Sequence, residues 1–185
     1  MIVCVPNEVL TSAAKSVPAI DKKILETVEL MKKNLVEKDN PKGVGLAAPQ
    51  IGIGLRIFIT RPSDESAIDV FINPEILEKS EELAEIERTG KSKGLKKEKK
   101  LEGCLSIPNV WGYLKRSKKV KMKYQDIEGK EQTREFSGFM ATIVQHETDH
   151  LNGILFTQRV LEQKQKLYRI EETDKDEERL VEIEI

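Results

Sequence analysis

Both histidines of this 185-residue chain, His146 and His150, stand four residues apart in the stretch QHETDHLNG, with Glu147 beside the first. Ser137 is a good helix N-cap and Asn152-Gly153 a stop signal, and the apolar spacing between them predicts one helix over Gly138 to Leu151. A helix turns by about 100° per residue, so positions four apart return to nearly the same side. Both imidazoles can then reach one metal ion while Glu147 projects next to it, which is the His-Glu-x-x-His arrangement. Phe139 and Ile143 fall within about 60° of the two histidines by the same arithmetic. They continue the metal-facing side with apolar surface, as a pocket wall or as plain core.

A catalytic ion of this kind needs a third protein ligand and an open position for water. No third histidine exists. The candidates are a carboxylate of the charged C-terminal part, such as Glu171 or Glu172, and a thiolate, which is the better donor. Cys4 lies among Ile2, Val3 and Val5 in what reads as a buried N-terminal strand or arm, where a cysteine acts as a small hydrophobe. Cys104 lies in EGCLS, Glu102 to Ser106, a short strand or bend in which Gly103 lets the backbone approach something closely. A bound ion would also keep its sulfur deprotonated at neutral pH.

Elsewhere the chain reads as a mixture of helix and strand. Ile24, Val28, Met31 and Leu35 predict an amphipathic helix that starts at Asp21 and ends before Pro41 and Gly43. The glycine-rich GVGLAAPQ, Gly43 to Gln50, leads into a β-prone run from Arg56 to Thr60. Asp69 to Leu77 is a second strand, interrupted at Asn73-Pro74 by an edge or a bend. Val120 to Asp126 and Gln132 to Phe136 flank a turn at Glu128-Gly129 and form a hairpin. Glu78 to Lys100 is too charged to form core and reads as a solvated insertion or mobile loop, with a basic contact for ribosomal RNA as the sharper alternative. A surface helix fraying into an acidic tail is expected at the C-terminal end. The predicted division is a catalytic domain over 1–165 and a charged helix or tail over 166–185.

Charged residues make up 34% of the chain and nearly cancel to a net charge of -1, so no overall basic field attracts nucleic acid or membrane. No apolar run is long enough for a bilayer helix, and no secretory signal precedes Pro6. The expectation is a protein of a reducing cytoplasm, with its two cysteines unbridged.

Three motifs in order, GVGLAAPQ, EGCLS and QHETDHLNG, resemble those of the peptide deformylases, and the similarity extends from about Val5 to about Leu161. The resemblance implies an α+β fold in which antiparallel β-sheets pack around the central helix of the His-Glu-x-x-His motif, with an N-terminal and a C-terminal helix. It implies that Cys104, His146 and His150 hold one divalent ion, Fe²⁺ in the cell, with Zn²⁺, Ni²⁺ or Co²⁺ as replacements. Glu147 becomes the catalytic carboxylate, and Gln50 and the backbone N–H of Leu105 the oxyanion donors. Val44 and Gly45 meet the substrate backbone, and Phe139 and Ile143 receive a methionine side chain. The implied activity is hydrolysis of the N-formyl group from formyl-methionyl nascent peptides. Transient ribosome contact follows from that substrate, without membrane binding or sequence-specific nucleic-acid recognition. Trp111 departs from the family pattern, standing where members often use a basic residue to hold the peptide, and is expected to pack on the substrate, rim its cleft or join the core. Two rivals remain at this point: a peptidase that cuts internal bonds with a tail carboxylate as third ligand, and a metal-stabilised domain that binds ribosomes or nascent chains without turnover.

Overall fold

The computed structural model describes residues 1–38, 42–86, 101–172 and 178–184. Its elements are, in chain order, helix α1 (Lys22–Val36), strands β1 (Gly45–Ala47), β2 (Ile57–Thr60), β3 (Asp69–Lys79), β4 (Leu83–Ala84), β5 (Leu101–Cys104), β6 (Ile107–Tyr113), β7 (Arg116–Ser117), β8 (Lys119–Gln125) and β9 (Glu131–Ser137), helices α2 (Gly138–Leu151) and α3 (Phe156–Glu162), and strands β10 (Leu167–Glu172) and β11 (Glu178–Glu182). Two 3-10 turns, Glu8–Leu10 and Ala48–Ile51, complete the set.

The strands form one sheet in the order β1-β2-β3-β8-β9, a second in the order β11-β10-β6-β5, and a small pair β4-β7. Every pairing between them is antiparallel. Helix α2 is buried on nearly all sides: Ala141 to Gln145 and Glu147 to Leu151 are all in the interior. A helix so enclosed belongs at the centre of the molecule rather than on its surface. Its contacts with β1, β2, β7, β8 and β9 place it there. The α+β architecture around a central motif helix is therefore as the resemblance implied.

Local chemistry explains the elements. Asp21 accepts a hydrogen bond from Ile24 N at 3.0 Å and starts α1, whose Ile24, Val28, Met31 and Leu35 are buried as their spacing predicted. In the β8–β9 hairpin, Asp126 N donates to Lys130 O and Gly129 N to Asp126 O, with Gly129 at φ 80°. Ser137 stands at the N-cap of α2 but makes no side-chain capping bond. The break expected at Asn73-Pro74 is a bend inside a central strand rather than an edge. Asn73 takes φ 50°, the register with β8 shifts between Ile72 and Glu75, and the Asn73 amide is satisfied by Val17 and Gln125.

Three expectations need correction. The C-terminal part is not a continuous surface helix: α3 ends at Glu162, Lys164 turns at φ 55°, and β10 and β11 then pair as a hairpin, with β10 docking Leu167 and Tyr168 on Gly112 and Trp111 of β6. Alternation in Val181, Glu182, Ile183 and Glu184 suits a strand, and the outer edge of β6 supplies the backbone partners a strand needs. Cys4 is exposed rather than buried, because the N-terminal arm lies on the outside of the segments it touches. Of the charged stretch 78–100, Glu78 and Lys79 finish β3 and Leu83–Ala84 pair with β7, so its start is structured; 87–100 lies outside the described residues.

Phe71 on β3 joins much of the core of the first sheet. Its ring centroid lies 4.5 Å from those of Phe58 and Tyr124 and 5.8 Å from that of Phe136. Phe71→Ala is expected to cost about 3–5 kcal/mol in the free energy of unfolding, read by chemical denaturation.

Candidate metal centre

Strand β5 and helix α2 come from different parts of the chain and converge on one point. Cys104 Sγ, at the end of β5, lies 3.1 Å from Nε2 of His150. One ligand atom from each of Cys104, His146 and His150 lies within 4.8 Å of the others. The tail carboxylate considered as third ligand is elsewhere: Glu171 is exposed and paired with Arg169. The side chain of Glu172 lies outside the described residues.

The donor set fits a divalent ion. One sulfur and two imidazoles suit zinc or ferrous iron, and the rings are already oriented. His146 Nδ1 lies 2.6 Å from Glu102 Oε1 and donates to it, leaving Nε2 to face the centre. Glu102 is held in turn by Arg116, whose Nε and Nη2 donate to its two oxygens at 2.9 and 2.7 Å. Arg116 Nη1 reaches Asp149 at 2.8 Å, and Asp149 also accepts from Arg159 Nη2 at 2.9 Å. Glu102, Arg116 and Asp149 are only 3%, 8% and 6% exposed. Removing one partner of such a buried cluster leaves an uncompensated charge, which costs about 3–5 kcal/mol.

The cluster sets the protonation of the site. Burial alone would raise the Glu102 carboxyl, but the Arg116 guanidinium and then His146 outweigh it and hold Glu102 well below the usual carboxylate range. Burial would lower His146, yet Glu102 and Cys104 hold it well above its ordinary value in the absence of an ion. His150 is pushed well below its ordinary value by burial and by the neighbouring His146. Glu147 is pushed up to about 7, by burial first and with Glu102 adding to it, against the opposing pull of His146 and Arg116. His150 Nδ1 and Glu147 Oε2 are both buried with no hydrogen-bond partner among the described residues.

The first motif meets this centre from the sheet that starts with β1. A Cβ on Gly45 would stand inside the Glu147 carboxylate, so only a residue without a side chain lets the two approach. The Gln50 Nε2 group lies 3.4 Å from Cys104 Sγ and 3.3 Å from Ser106 Oγ, and its Oε1 accepts from Ala47 N at 2.8 Å. Leu105 sits between Cys104 and Ser106, half-buried, with its side chain packed toward the α1 cluster. Val44 is half-buried next to Gly45, and its carbonyl accepts from Arg61 N at 2.8 Å. Ile143 is buried and Phe139 half-buried on the same helix as the histidines, toward its N-terminus. Trp111 pairs with Gly103 across β5 and β6, and its indole would meet a Gly103 Cβ at 2.7 Å, so the ring lies on the backbone beside Cys104.

Sequence reasoning assigned no part to Ser106, Arg116 or Asp149, nor to the carboxylate of Glu102. Glu102 carried a local signal, since it stands two residues from Cys104 on a strand, and Asp149 lies within the histidine motif. Arg116 carried none: one cation among 31 lysines and arginines is singled out only by the fold.

A family model, Polypeptide deformylase, matches residues 1–166. Peptide deformylase 1 of Bacillus subtilis is 42% identical over 159 residues, covering 86% of this chain and 88% of that protein. A peptide deformylase of Borreliella burgdorferi is 42% identical over 151 residues, covering 82% of this chain and 81% of that one. Among solved structures, peptide deformylase from Thermotoga maritima superimposes with a TM-score of 0.73 at 36% identity, over 86% of this chain and 96% of that chain. A Met-Ala-Ser-bound class I type b peptide deformylase from Acinetobacter baumannii gives the same TM-score at 35% identity, over 86% and 97% of the two chains. With a family model over most of the chain and relatives matched over most of their length, this chain belongs to the polypeptide deformylase family.

Proposed function

We infer that this protein hydrolyses the N-formyl group of formyl-methionyl peptides, releasing formate and a free methionine amine. Family membership supports the reaction class. The observation that carries the reading for this chain is the approach of Cys104, His146 and His150 beside a buried Glu147 whose Oε2 has no partner among the described residues. We assign Cys104, His146 and His150 as ligands of one divalent ion, ferrous iron in the cell, replaceable by zinc, nickel or cobalt. Such an ion supplies Lewis-acid polarisation of the formyl oxygen and acidifies a water at neutral pH.

The residues of the chain do the rest. Glu147, ionised, takes the proton of the attacking water and returns it to the departing amine nitrogen. Negative charge growing on the formyl oxygen is met by the Gln50 amide and the Leu105 N–H, donors fixed before the reaction begins. Among the described residues β1 and β5 are the outermost strands of their sheets, and both border the centre. An extended peptide can add to these edges, its backbone passing Val44 and Gly45. Phe139 and Ile143 then receive the methionine side chain, and Trp111, lying on Gly103, borders the path of later residues. A formyl group is small, so the site excludes bulkier acyl groups by size. Substrates of this kind emerge from ribosomes, so transient ribosome contact accompanies the reading. Cys4 and Cys104 are both unbridged, which suits a reducing cytoplasm. No described helix is long and apolar enough to cross a membrane.

The direct test is formate release from a formyl-Met tripeptide by anaerobically prepared protein, with metal content measured on the same sample. Glu147→Ala is expected to keep the ion and the fold and to lower turnover by about 100- to 10,000-fold. Cys104→Ala is expected to lose the ion. Turnover near the wild-type rate in Glu147→Ala would remove the general-base assignment, and a Cys104→Ala protein that still holds its ion would restore the rival with a tail carboxylate.

A pH effect follows from Glu147. Its carboxyl is held up to about 7 in the ion-free chain, and a cation bound by the flanking histidines favours the ionised form. A buried protonated carboxyl is expected in infrared difference spectra of ion-free protein below pH 7, absent in Glu147→Gln and absent at neutral pH after metal loading. In the loaded enzyme kcat/KM should fall about tenfold per pH unit once pH drops below the lowered value of this group, because the base works only when ionised. A loaded enzyme whose acid limb begins above pH 7 would contradict the assignment.

A further inference from the structure

One segment outside the motifs touches both halves of the centre from behind. In the N-terminal arm, Val3 N donates to the Gln50 carbonyl at 2.9 Å and Val5 N donates to the Ser106 carbonyl at 3.1 Å. Gln50 lies in the turn that follows β1 of the first sheet, and Ser106 in the turn between β5 and β6 of the second. The arm is thus bonded once to each sheet across the seam where the centre lies. In an extended chain, residues two apart present their N–H groups to the same side, about 7 Å apart. The residue between them faces away, and the Cys4 carbonyl accepts from Asn7 N instead. Ile2 packs on the α1 cluster and anchors the start of the arm.

The Gln50 side chain also crosses this seam, its Nε2 lying 3.4 Å from Cys104 Sγ and 3.3 Å from Ser106 Oγ, the latter beyond the usual N–H···O hydrogen-bond range. The two arm bonds are within that range and are the better-formed link. We propose that the backbone amides of Val3 and Val5 are positioning groups for the reaction. They fix the spacing between Gln50 and the Leu105–Ser106 turn so that the Gln50 amide and Leu105 N–H converge on the developing oxyanion. This rests on the deformylase reading and extends it to a segment that contributes no side chain to the centre. Donors act strongly because they are fixed in advance, and a drift of about 1 Å can cost about 100-fold in rate.

Two substitutions at one position separate positioning from packing. Val3→Pro removes the amide donor and suits an extended backbone, whereas Val3→Ala trims the same side chain and keeps the donor. In metal-loaded protein, Val3→Pro should lower kcat for a formyl-Met tripeptide at least about tenfold with KM within about twofold, since the lost alignment matters only in the transition state. Val3→Ala should stay within about twofold in kcat. Equal kcat in the two variants, or a loss confined to KM, overturns the proposal. If Val3→Pro does not fold, hydrogen exchange on the wild-type holoenzyme decides. Coupling is reciprocal, so saturating formate should slow exchange of the Val3 and Val5 amides, and unchanged exchange overturns the proposal. A wild-type protein that releases no formate would instead bring down the deformylase reading, so the two failures are distinct.

Discussion

The Glu102 carboxylate, shared between Arg116 and His146, is the interaction on which the remainder of the centre depends. One of its oxygens accepts from both the His146 ring and an Arg116 nitrogen, and the other completes the Arg116 fork. Without the guanidinium, a carboxylate at this depth would take up a proton and could no longer accept from the ring in the same way. Asp149 balances the remaining charge of Arg116, and Arg159 on α3 balances Asp149. The orientation of a single imidazole is therefore tied to β5, β7, α2 and α3 together. This coupling gives a physical reason for the enclosure of α2, since the same helix on the surface could not exclude water from these ion pairs.

Much of the site was legible because its signals are local. His146, Glu147 and His150 share one helix, and the fixed turn of that helix makes their convergence a matter of counting. Cys104 was legible as one of two thiols in a glycine-containing bend, although the residues alone left a tail carboxylate open. Gly45 was given a place beside the substrate backbone; its closeness to the Glu147 carboxylate adds a steric reason for a glycine there. The antiparallel hairpin of β8 and β9 was equally plain, since its turn residues and alternation agree.

What stayed hidden depends on contacts between distant segments. Arg116 is one basic residue in a lysine-rich stretch, and its value comes from facing Glu102 and Asp149 across 14 and 33 residues of sequence. Cys4 looked like core because its neighbours are apolar, but an arm bonded along one edge leaves its other side in water. The C-terminal part showed a weak helical period that lost to strand pairing, because β6 offered an edge with which it could complete its hydrogen bonds.

That edge has a consequence for how the molecule ends. The family match stops at residue 166, immediately before β10, yet Leu167 is buried in the cluster that contains Cys104, and Ile183 packs against it. Trimming the chain at the family boundary would strip a cover from β6 and bare amide and carbonyl groups that invite foreign strands. The acidic ribbon thus serves as a selvedge, moving the exposed margin of the second sheet outward to β11, where Arg179 and Glu182 make a charged rim that discourages self-association.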